Sequence, residues 1–239
     1  MGKKLELYNR GNYDRMISGY NKLNVGASPD DMVPDWLNIS MWDGVFNDMV
    51  DKQVKGYEVY EYKNGSDVLN YDVTKGLPFE DNSIDYIYSS HFIEHLSFGD
   101  AIEFFKECKR VLKRGGILRI ICPDLEKWIN NYIQNDKQFF DKYKQQIDID
   151  TPSNYVYNLL DKVNTKGQIM CSNFYNWDHK WMWDFESMEL VLKDVGLDKI
   201  RKSSSLVSNI PQVESVEAPS IELFGKRILE SLYVESVKQ

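Results

Sequence analysis

The pattern of apolar and polar residues is most regular in the middle of the chain, in the segment DAIEFFKECKRVLKRGG at residues 100–116. Asp100 and Glu103 have the spacing of a capping pair at its start, and Gly115–Gly116 ends it. Its apolar residues recur at helical spacing and form one stripe: Ala101, Phe104, Phe105, Cys108, Val111 and Leu112. The apolar segment ILRIICP follows at once. The pattern therefore predicts a helix leading directly into a buried strand, as in the βαβ units of parallel sheets.

Short apolar runs elsewhere predict further strands. They are KLNV at residues 22–25, DWLNIS at 35–40, VLNYDV at 68–73, SIDYIYSS at 83–90, LDKI at 197–200 and SLYVESV at 231–237. The segment GYEVYEYKNGSD, at residues 56–67, predicts an edge hairpin that turns at Asn64 and Gly65. Together these elements predict an α/β fold of Rossmann-like type, with a mostly parallel seven-stranded sheet and helices on both faces.

Helical patterns fill the rest of the chain. Residues 125–146 and 155–163 are predicted helices, and FESMELVLKDV is a helix that Asp184 caps. Residues 45–54 have a weaker helical pattern, and residues 1–20 are expected to form a short helical segment on the domain. No internal repeat or low-complexity linker divides the sequence, so residues 1–239 are predicted to be a single domain.

Composition and charge exclude several classes of partner. The 239 residues have a formal net charge of −8 and no stripe of lysine and arginine, so nucleic acid is not an expected partner. No apolar run approaches the ~20 residues that cross a bilayer, and the N-terminal segment lacks the apolar core of a signal peptide. The cysteines have no C-x-x-C spacing: Cys108, Cys122 and Cys171. We therefore expect a cytoplasmic protein without a membrane partner, with its cysteines reduced.

Ligands of parallel sheets bind at the carboxyl ends of the strands. The residues at the carboxyl ends of the predicted strands, or just after them, are Gly26–Asp31, Ser40–Asp43, Asp72–Lys75, Ser89–His95 and Pro123–Asp124. We expect the functional site among them.

Two adjoining segments at this edge resemble a known family. DVTKGLPFEDNSIDYIYSSHFIEHL at residues 72–96 and FFKECKRVLKRGGILRIICPDLEKW at 104–128 are similar to class I S-adenosylmethionine-dependent methyltransferases. The similar subgroup is a small bacterial type often associated with surface-glycan or other secondary pathways. The resemblance implies a cofactor-binding core over residues 22–128, a substrate or lid region over 129–185, and a last helix and strands over 186–239. It also implies S-adenosylmethionine as cofactor, S-adenosylhomocysteine as product, no metal, and a small-molecule or glycan-like acceptor.

The resemblance assigns cofactor contacts to particular positions. The turn under the methionine part would be Val25, Gly26, Ala27 and Ser28, and the residues facing the methionine end would be Ser89, Ser90 and His91. Asp72 would accept a hydrogen bond from the adenine amino group, with Val73 beside the ring. The adenine side would be braced by Leu77, Pro78 and Phe79.

The first loop departs from the family pattern. Where the family has a G-x-G-x-G sequence, this chain has Gly26-Ala27-Ser28, and too few residues follow for the usual first helix. Ser40 stands where an acid meets the ribose, and the acids that could substitute are Asp30, Asp31 and Asp43. Small side chains still allow close approach of the backbone, so we expect the shortened loop to bind the cofactor. The alternative is a silent methyltransferase fold that acts as an interaction protein.

The histidines allow more than one interpretation. HFIEH at residues 91–95 matches the H-x-x-E-H pattern of inverted zinc peptidases, a remote alternative that needs a long helix. Otherwise His95 packs locally while Glu94 points to solvent, and His91 either faces the cofactor or only packs. His179 is the candidate catalytic base, since its pKa lies near neutrality.

Other candidate residues also have two interpretations. The aromatic residues around His179 either cover the active site or belong to the core: Trp177, Trp181 and Trp183. Asp124 either touches the substrate or only caps the next helix. The N-terminal tyrosines form either a lid or a packed helix face: Tyr8, Tyr13 and Tyr20.

Overall fold

The computed structural model describes residues 5–6, 19–28, 31–41, 58–61, 65–150, 165–223 and 225–239. The strands are β1 (Leu5–Glu6), β2 (Lys22–Val25), β3 (Leu37–Ser40), β4 (Glu58–Glu61), β5 (Asp67–Asn70), β6 (Ile84–Ser90), β7 (Leu112–Pro123), β8 (Asp198–Lys202) and β9 (Ser231–Val237). The α-helices are α1 (Phe98–Val111), α2 (Leu125–Gln134), α3 (Lys137–Asp150), α4 (Lys166–Tyr175), α5 (Phe185–Asp194), α6 (Glu214–Leu223) and α7 (Lys226–Glu230).

All of these strands form one sheet, in the order β1-β4-β5-β3-β2-β6-β7-β9-β8. Seven of them, from β5 to β8, are the predicted Rossmann-like sheet. Neighbours from β5 to β7 are parallel, and β9 is inserted antiparallel between β7 and β8. The strand β4 pairs antiparallel with β5, as the hairpin pattern predicts, and β1 extends the same edge. The predicted fold class is confirmed, with two short strands added.

Helices cover both faces of the sheet. On one face, α1 and α5 pack their apolar sides on the strands, through Phe104 and Phe105 of α1 and Met188 and Leu192 of α5. On the other face, Val216 of α6 packs in a smaller cluster. A third cluster, centred on the buried Trp128, joins α2, α3 and α4 beside the sheet. No helix among the described residues has both the length and the apolar character needed to span a membrane.

Several boundaries differ from the predicted ones. The helix α1 begins three residues earlier than its apolar stripe, because Ser97 is the N-cap and accepts a hydrogen bond from the Asp100 backbone N–H at 3.2 Å. It ends at Val111, before the two glycines, and β7 begins at the next residue. The predicted helix over residues 125–146 is two helices, because Asn135 takes a left-handed conformation with φ 55°.

The prediction of a helical segment over residues 1–20 is wrong at Leu5–Glu6, which form β1 by pairing with β4. Tyr20 donates a hydrogen bond from its hydroxyl to the Asp67 carboxylate and packs against the main core. The other two N-terminal tyrosines lie outside the described residues, as do the possible helices over residues 45–54 and 155–163.

Two buried asparagines hold the connection between β2 and β3. Asn24 donates to Asn38 at 2.9 Å, and Asn38 donates to the carbonyls of Val33 and Trp36 at 3.0 and 3.2 Å. Within the described part of this connection no helix forms, as its length predicts. The side-chain hydrogen bonds therefore fix a loop where a helix would otherwise lie.

Candidate active site

The carboxyl ends of the parallel strands bring the predicted cofactor residues to one edge of the sheet. Val25 pairs with Ser89 on β6 and with Ile39 on β3, and Ser40 pairs with Asn70 on β5. The register therefore aligns the ends of four strands in a row. Parallel pairing, which the apolar runs predict, is sufficient to explain this convergence.

Gly26 begins the turn after β2 in a conformation that favours glycine. Its φ is +80°, and its backbone N–H donates to the Ile39 carbonyl at 2.8 Å. A Cβ atom at this position would lie 2.3 Å from Cγ of Phe92, so the phenyl ring closes directly over the glycine. The shortened loop thus keeps the one glycine that both its backbone and its neighbour require.

The rest of the loop is held by its own polar groups. Ala27 is buried, and Ser28 donates from its hydroxyl to the Asp31 carboxylate at 2.8 Å. Asn24 donates to the Asp31 carbonyl at 3.0 Å. Asp31 is buried within the loop by these contacts, and Asp30 lies outside the described residues.

Ser40 ends β3 as a buried residue whose carbonyl accepts the Tyr71 N–H at 3.0 Å. Its side chain offers a hydroxyl where the family has a carboxylate. The other candidate for the ribose contact, Asp43, lies outside the described residues.

Asp72 follows β5 and caps a 3₁₀ turn, Val73–Lys75. One carboxylate oxygen accepts from the Thr74 N–H at 3.0 Å and from the Thr74 hydroxyl at 2.6 Å. The other lies 3.9 Å from the Lys75 ammonium. Val73 is buried beneath the turn. The cap fixes the carboxylate at the sheet edge, and a carboxylate has acceptor sites for a further donor.

The LPF segment is anchored to α1. Glu107 accepts the Leu77 N–H at 2.7 Å, and Arg110 donates to the carbonyls of Leu77 and Phe79, both at 2.8 Å. The sequence shows how far apart the LPF segment and α1 lie along the chain, but it does not show that they contact each other. The ion pair between Glu107 and Arg110, one helical turn apart, is the signal that could have indicated it.

The end of β6 carries Ser89, Ser90 and His91. Both serines are buried, and within the described part of the chain the Ser89 hydroxyl has no hydrogen-bond partner. Buried hydroxyls are normally paired, so this oxygen fits a polar group of a ligand at the strand end. His91 has φ +49° and donates its backbone N–H to the Ile121 carbonyl at 2.8 Å. Its Nε2 lies 2.8 Å from the Ser231 hydroxyl.

Glu94 is buried at 1% exposure, so the expectation that it points to solvent is wrong. Its carboxylate lies 3.4 Å from Nδ1 of His91. It sits in a 3₁₀ turn, Ile93–His95, whose short length also excludes the long helix of the peptidase interpretation. Sequence reasoning missed this buried carboxylate because the residues that cover it come from a distant part of the chain.

His95 is largely buried against that distant segment. Burial lowers its pKa, although hydrogen bonds to the backbone of Trp177 and His91 and the charge of Asp178 act in the opposite direction. The rings of His95 and His179 meet edge to face with 4.8 Å between centroids. The candidate base His179 is therefore brought to the turn that follows β6.

The aromatic segment around His179 lies across the carboxyl edge of the sheet. The backbone N–H groups of Lys180 and Trp181 donate to the Glu94 carbonyl at 2.7 and 3.2 Å. Trp183 is fully buried in the core, whereas Trp181 and Trp177 are 42% and 39% exposed. Phe98 stacks near Trp181 with 4.7 Å between centroids. Trp183 therefore belongs to the core, whereas for the partly exposed Trp181 a role in covering the active site stays a prediction.

Asp124 caps α2, accepting from the N–H groups of Glu126 and Lys127 at 3.0 and 3.4 Å. Burial raises the pKa of Asp124, against the opposing influence of Lys127. Burial lowers the pKa of Lys127, whose ammonium donates to the Ser231 carbonyl at 2.6 Å. The capping interpretation of Asp124 is therefore the one the geometry supports.

Comparisons with known proteins bear on this edge of the sheet. Residues 35–120 match the sequence model of a family described as a methyltransferase domain. This range contains Ser40, Asp72 and Ser89–His91. No curated protein matches the chain.

Among solved structures, similarity extends to two microbial enzymes and one nematode enzyme. A SAM-dependent methyltransferase from Archaeoglobus fulgidus is 13% identical, with 96% of this chain and 90% of that chain covered and a TM-score of 0.49. One from Thermotoga maritima is 12% identical over 93% and 84%, also at 0.49. A phosphoethanolamine N-methyltransferase from Haemonchus contortus, solved with phosphomonomethylethanolamine and S-adenosylhomocysteine, is 14% identical over 95% and 50%, at 0.46.

The family match covers residues 35–120, from β3 into β7, and lies within a sheet of the predicted Rossmann-like type. This part of the chain is similar to methyltransferase domains, as its motifs predict. S-adenosylmethionine is the cofactor of the class I methyltransferases that the motifs resemble.

Proposed function

We propose that the protein transfers the methyl group of S-adenosylmethionine to a small-molecule or glycan-like acceptor. The observation that supports this best is the sharing of one sheet edge. The Gly26 turn, Asp72 and Ser89–His91 lie at the carboxyl ends of β2, β5 and β6, within one run of parallel strands, and the segment carrying His179 crosses the same edge. The residues proposed for the cofactor and for the acceptor would therefore lie on neighbouring elements.

The residues present fit the cofactor at both of its ends. Asp72 would accept from the adenine amino group, with Val73 beside the ring. Ser40 would face the ribose. Val25–Ser28 and Ser89–His91 would enclose the methionine part, where the buried Ser89 hydroxyl offers a polar contact. The bound cofactor supplies an activated methyl group on sulfonium, so these residues need only hold it and orient it in line with the acceptor.

The acceptor would lie beneath the aromatic segment. Trp181 and Phe98 present partly exposed faces next to each other, and such faces pack well on sugars and other flat molecules with polar edges. His179, beside them, is the candidate for receiving the acceptor's proton. A His179→Ala variant with full turnover and an unchanged pH profile would end that assignment.

The partners and location we propose follow from charge and cysteine distribution. An acidic chain with net charge −8 suits a small acceptor better than nucleic acid. Two of the three free cysteines are buried in the core, and Cys171 is exposed. An exposed free thiol is compatible with a reducing compartment, and we propose the cytoplasm.

One observation favours a silent fold as second candidate. Phe92 lies within 2.5 Å of the position that a Cβ would take at Gly26, against the turn assigned to the methionine part. If this ring keeps the turn closed, the domain would retain its core and lose the cofactor.

Calorimetric titration with S-adenosylmethionine and S-adenosylhomocysteine separates the two candidates. We expect micromolar binding of both. Asp72→Ala should weaken binding by about 1–3 kcal/mol, because the adenine amino group loses its acceptor. Asp198→Ala, at an exposed carboxylate on β8, is the matched control and should bind like the wild type. No heat of binding at millimolar ligand would favour the silent fold, and unchanged affinity in Asp72→Ala would remove Asp72 from the site.

A further inference from the structure

Every histidine of this chain lies in one cluster around Glu94. The sequence has three histidines in 239 residues. His91 places Nδ1 at 3.4 Å from the Glu94 carboxylate. The potential ligand atoms of Glu94, His95 and His179 all lie within 4.8 Å of one another. The cluster joins the turn after β6 to a segment far along the chain, so sequence proximity does not explain it.

The backbone holds the two segments of the cluster together. Lys180 and Trp181 donate their N–H groups to the carbonyl of Glu94 itself. The ring of His95 is hydrogen-bonded to the backbone of Trp177, in the same segment as His179, and to the backbone of His91. Histidines that ligate metals commonly keep one ring nitrogen in such a backbone contact, so metal binding would replace at most one of these two contacts. The side chains are thus positioned by main-chain contacts on both sides.

The donor set has a definite chemical preference. Two imidazoles and one carboxylate are ligands of zinc and of other first-row divalent ions, whereas Mg²⁺ and Ca²⁺ prefer oxygen. A buried carboxylate favours a cation nearby, and neutral imidazole is the form that binds a metal. Tetrahedral ligands about 2.1 Å from a metal lie about 3.4 Å apart, so small side-chain rotations would close this cluster on an ion.

We propose that Glu94, His95 and His179 bind a divalent transition-metal ion, which holds the hydroxyl oxygen of the methyl acceptor. This rests on the methyl transfer proposed above. The metal position is distinct from the peptidase pattern, because Glu94 is a ligand and the third ligand comes from the aromatic segment. Three protein ligands leave a coordination position open. Both histidines are partly exposed whereas Glu94 is buried, so the open position would face the side where the acceptor enters.

The ion would lower the pKa of the bound hydroxyl group, as metals do for bound water. The acceptor's O–H bond breaks and its proton passes to solvent water. The oxygen then forms its bond to the methyl carbon while the C–S bond breaks and its electron pair stays on sulfur. In this scheme His179 holds the ion and is not itself the base, and the acceptor is an alcohol or phenol.

The test measures metal binding without methyl transfer. Chelator-treated full-length protein is titrated with ZnCl₂, MnCl₂ and MgCl₂ in a non-coordinating buffer, and bound metal is counted by mass spectrometry. We expect one equivalent of zinc or manganese and no tight magnesium binding. Co²⁺ in place of zinc should give visible absorption bands of a histidine-ligated site. Binding weaker than millimolar for every transition metal would overturn the proposal.

Variants distinguish a metal site formed by these three side chains from non-specific metal binding. His179→Ala and Glu94→Gln should each weaken binding by at least tenfold and alter the Co²⁺ spectrum. Glu103→Gln, on the exposed side of α1, should bind metal like the wild type. His179 is partly exposed, so its variant keeps the test open if Glu94→Gln fails to fold. Equal binding by the wild type and His179→Ala would overturn the site.

The outcome is independent of the proposed function. If S-adenosylmethionine binds and no metal does, this inference fails while methyl transfer stands, with His179 as the direct base. If metal binds and the cofactor does not, methyl transfer fails, and with it the role of the ion in holding an acceptor. Binding of both supports the proposal.

Discussion

At the scale of single residues, Gly26 combines two constraints that the sequence shows only as one glycine in a short loop. Its φ of +80° is a conformation that glycine adopts at little cost and that most other residues avoid. Phe92 also fills the space where a side chain would lie. The first constraint can be inferred from the position of a glycine after a strand. The second cannot, because Phe92 reaches the turn from the end of a different strand.

The substitution Gly26→Ala tests both constraints. We expect a loss of about 1–3 kcal/mol in unfolding free energy from the backbone conformation, and a further loss from the clash with Phe92. Cofactor affinity should fall with it. Urea unfolding and calorimetry measure the two effects. Gly115→Ala is the matched control, since Gly115 has φ +82° with nothing within 4 Å of the added Cβ. Equal destabilisation by the two variants would show that the Phe92 contact costs nothing.

The sequence pattern predicts which residues lie at the sheet edge, but it does not predict which residues surround them. Asp72, Ser89 and His91 lie at the carboxyl ends of predicted strands, and the parallel pattern alone brings such positions together. Glu94 was misjudged because its carbonyl is bonded to Lys180 and Trp181 and its carboxylate lies near His179, in a segment that meets it only in the folded chain. A local sequence pattern does not show which distant segments come into contact in the fold.

At the scale of elements, the strongly periodic segments were predicted well and their ends less well. The apolar stripe of α1 and the apolar run of β7 can each be recognised from the local sequence alone. The start of α1 was predicted at Asp100, whereas the hydroxyl of Ser97 is the group that caps the helix, by accepting the Asp100 N–H. The break between α2 and α3 depends on Asn135, whose left-handed conformation has no signature in the apolar pattern.

The N-cap of α5 gives the prediction at this scale. Asp184 accepts the Ser187 N–H at 2.9 Å, and hydrogen bonds from Ser187 lower its pKa. Asp184→Ala should cost about 1 kcal/mol of unfolding free energy near neutral pH. The folded-state pKa lies below the unfolded value, so this stabilisation is complete above the unfolded pKa and is lost as pH falls through the folded one.

The measurement is urea unfolding of both proteins from pH 7 into acid, where the difference between them should shrink. Asp194→Ala, at the exposed other end of α5, is the control. It should be neutral or slightly stabilising, because a carboxylate is unfavourable at a helix C-terminus. A difference that stays constant into acid would rule out the charged cap as its source. The cap matters to the site because α5 begins directly after the aromatic segment.

At the scale of the whole molecule, a buried ion-pair network joins the last elements to the sheet. Arg119 of β7 is fully buried, 2.7 Å from Glu217 of α6 and 3.5 Å from Glu235 of β9. It also donates to the carbonyls of Ser204 and Val207 at 2.9 and 3.1 Å. The sequence shows an arginine inside the apolar run ILRIICP without showing its partners, since both acids lie near the end of the chain.

Arg119→Met should destabilise the protein by about 3–5 kcal/mol, because it leaves Glu217 buried without its cation. Arg201→Met removes the half-exposed partner of Glu235 and should cost at most about 1 kcal/mol. The double variant Arg119→Met with Glu217→Gln should recover part of the loss, since it removes the uncompensated charge. Because the side-chain partners of Arg119 lie on α6, on β9 and at Ser204 and Val207, and none of them is a candidate cofactor residue, folded Arg119→Met should bind S-adenosylmethionine like the wild type. Equal stability of the two single variants, or full loss of cofactor binding in a folded Arg119→Met protein, would contradict a purely structural role for the network.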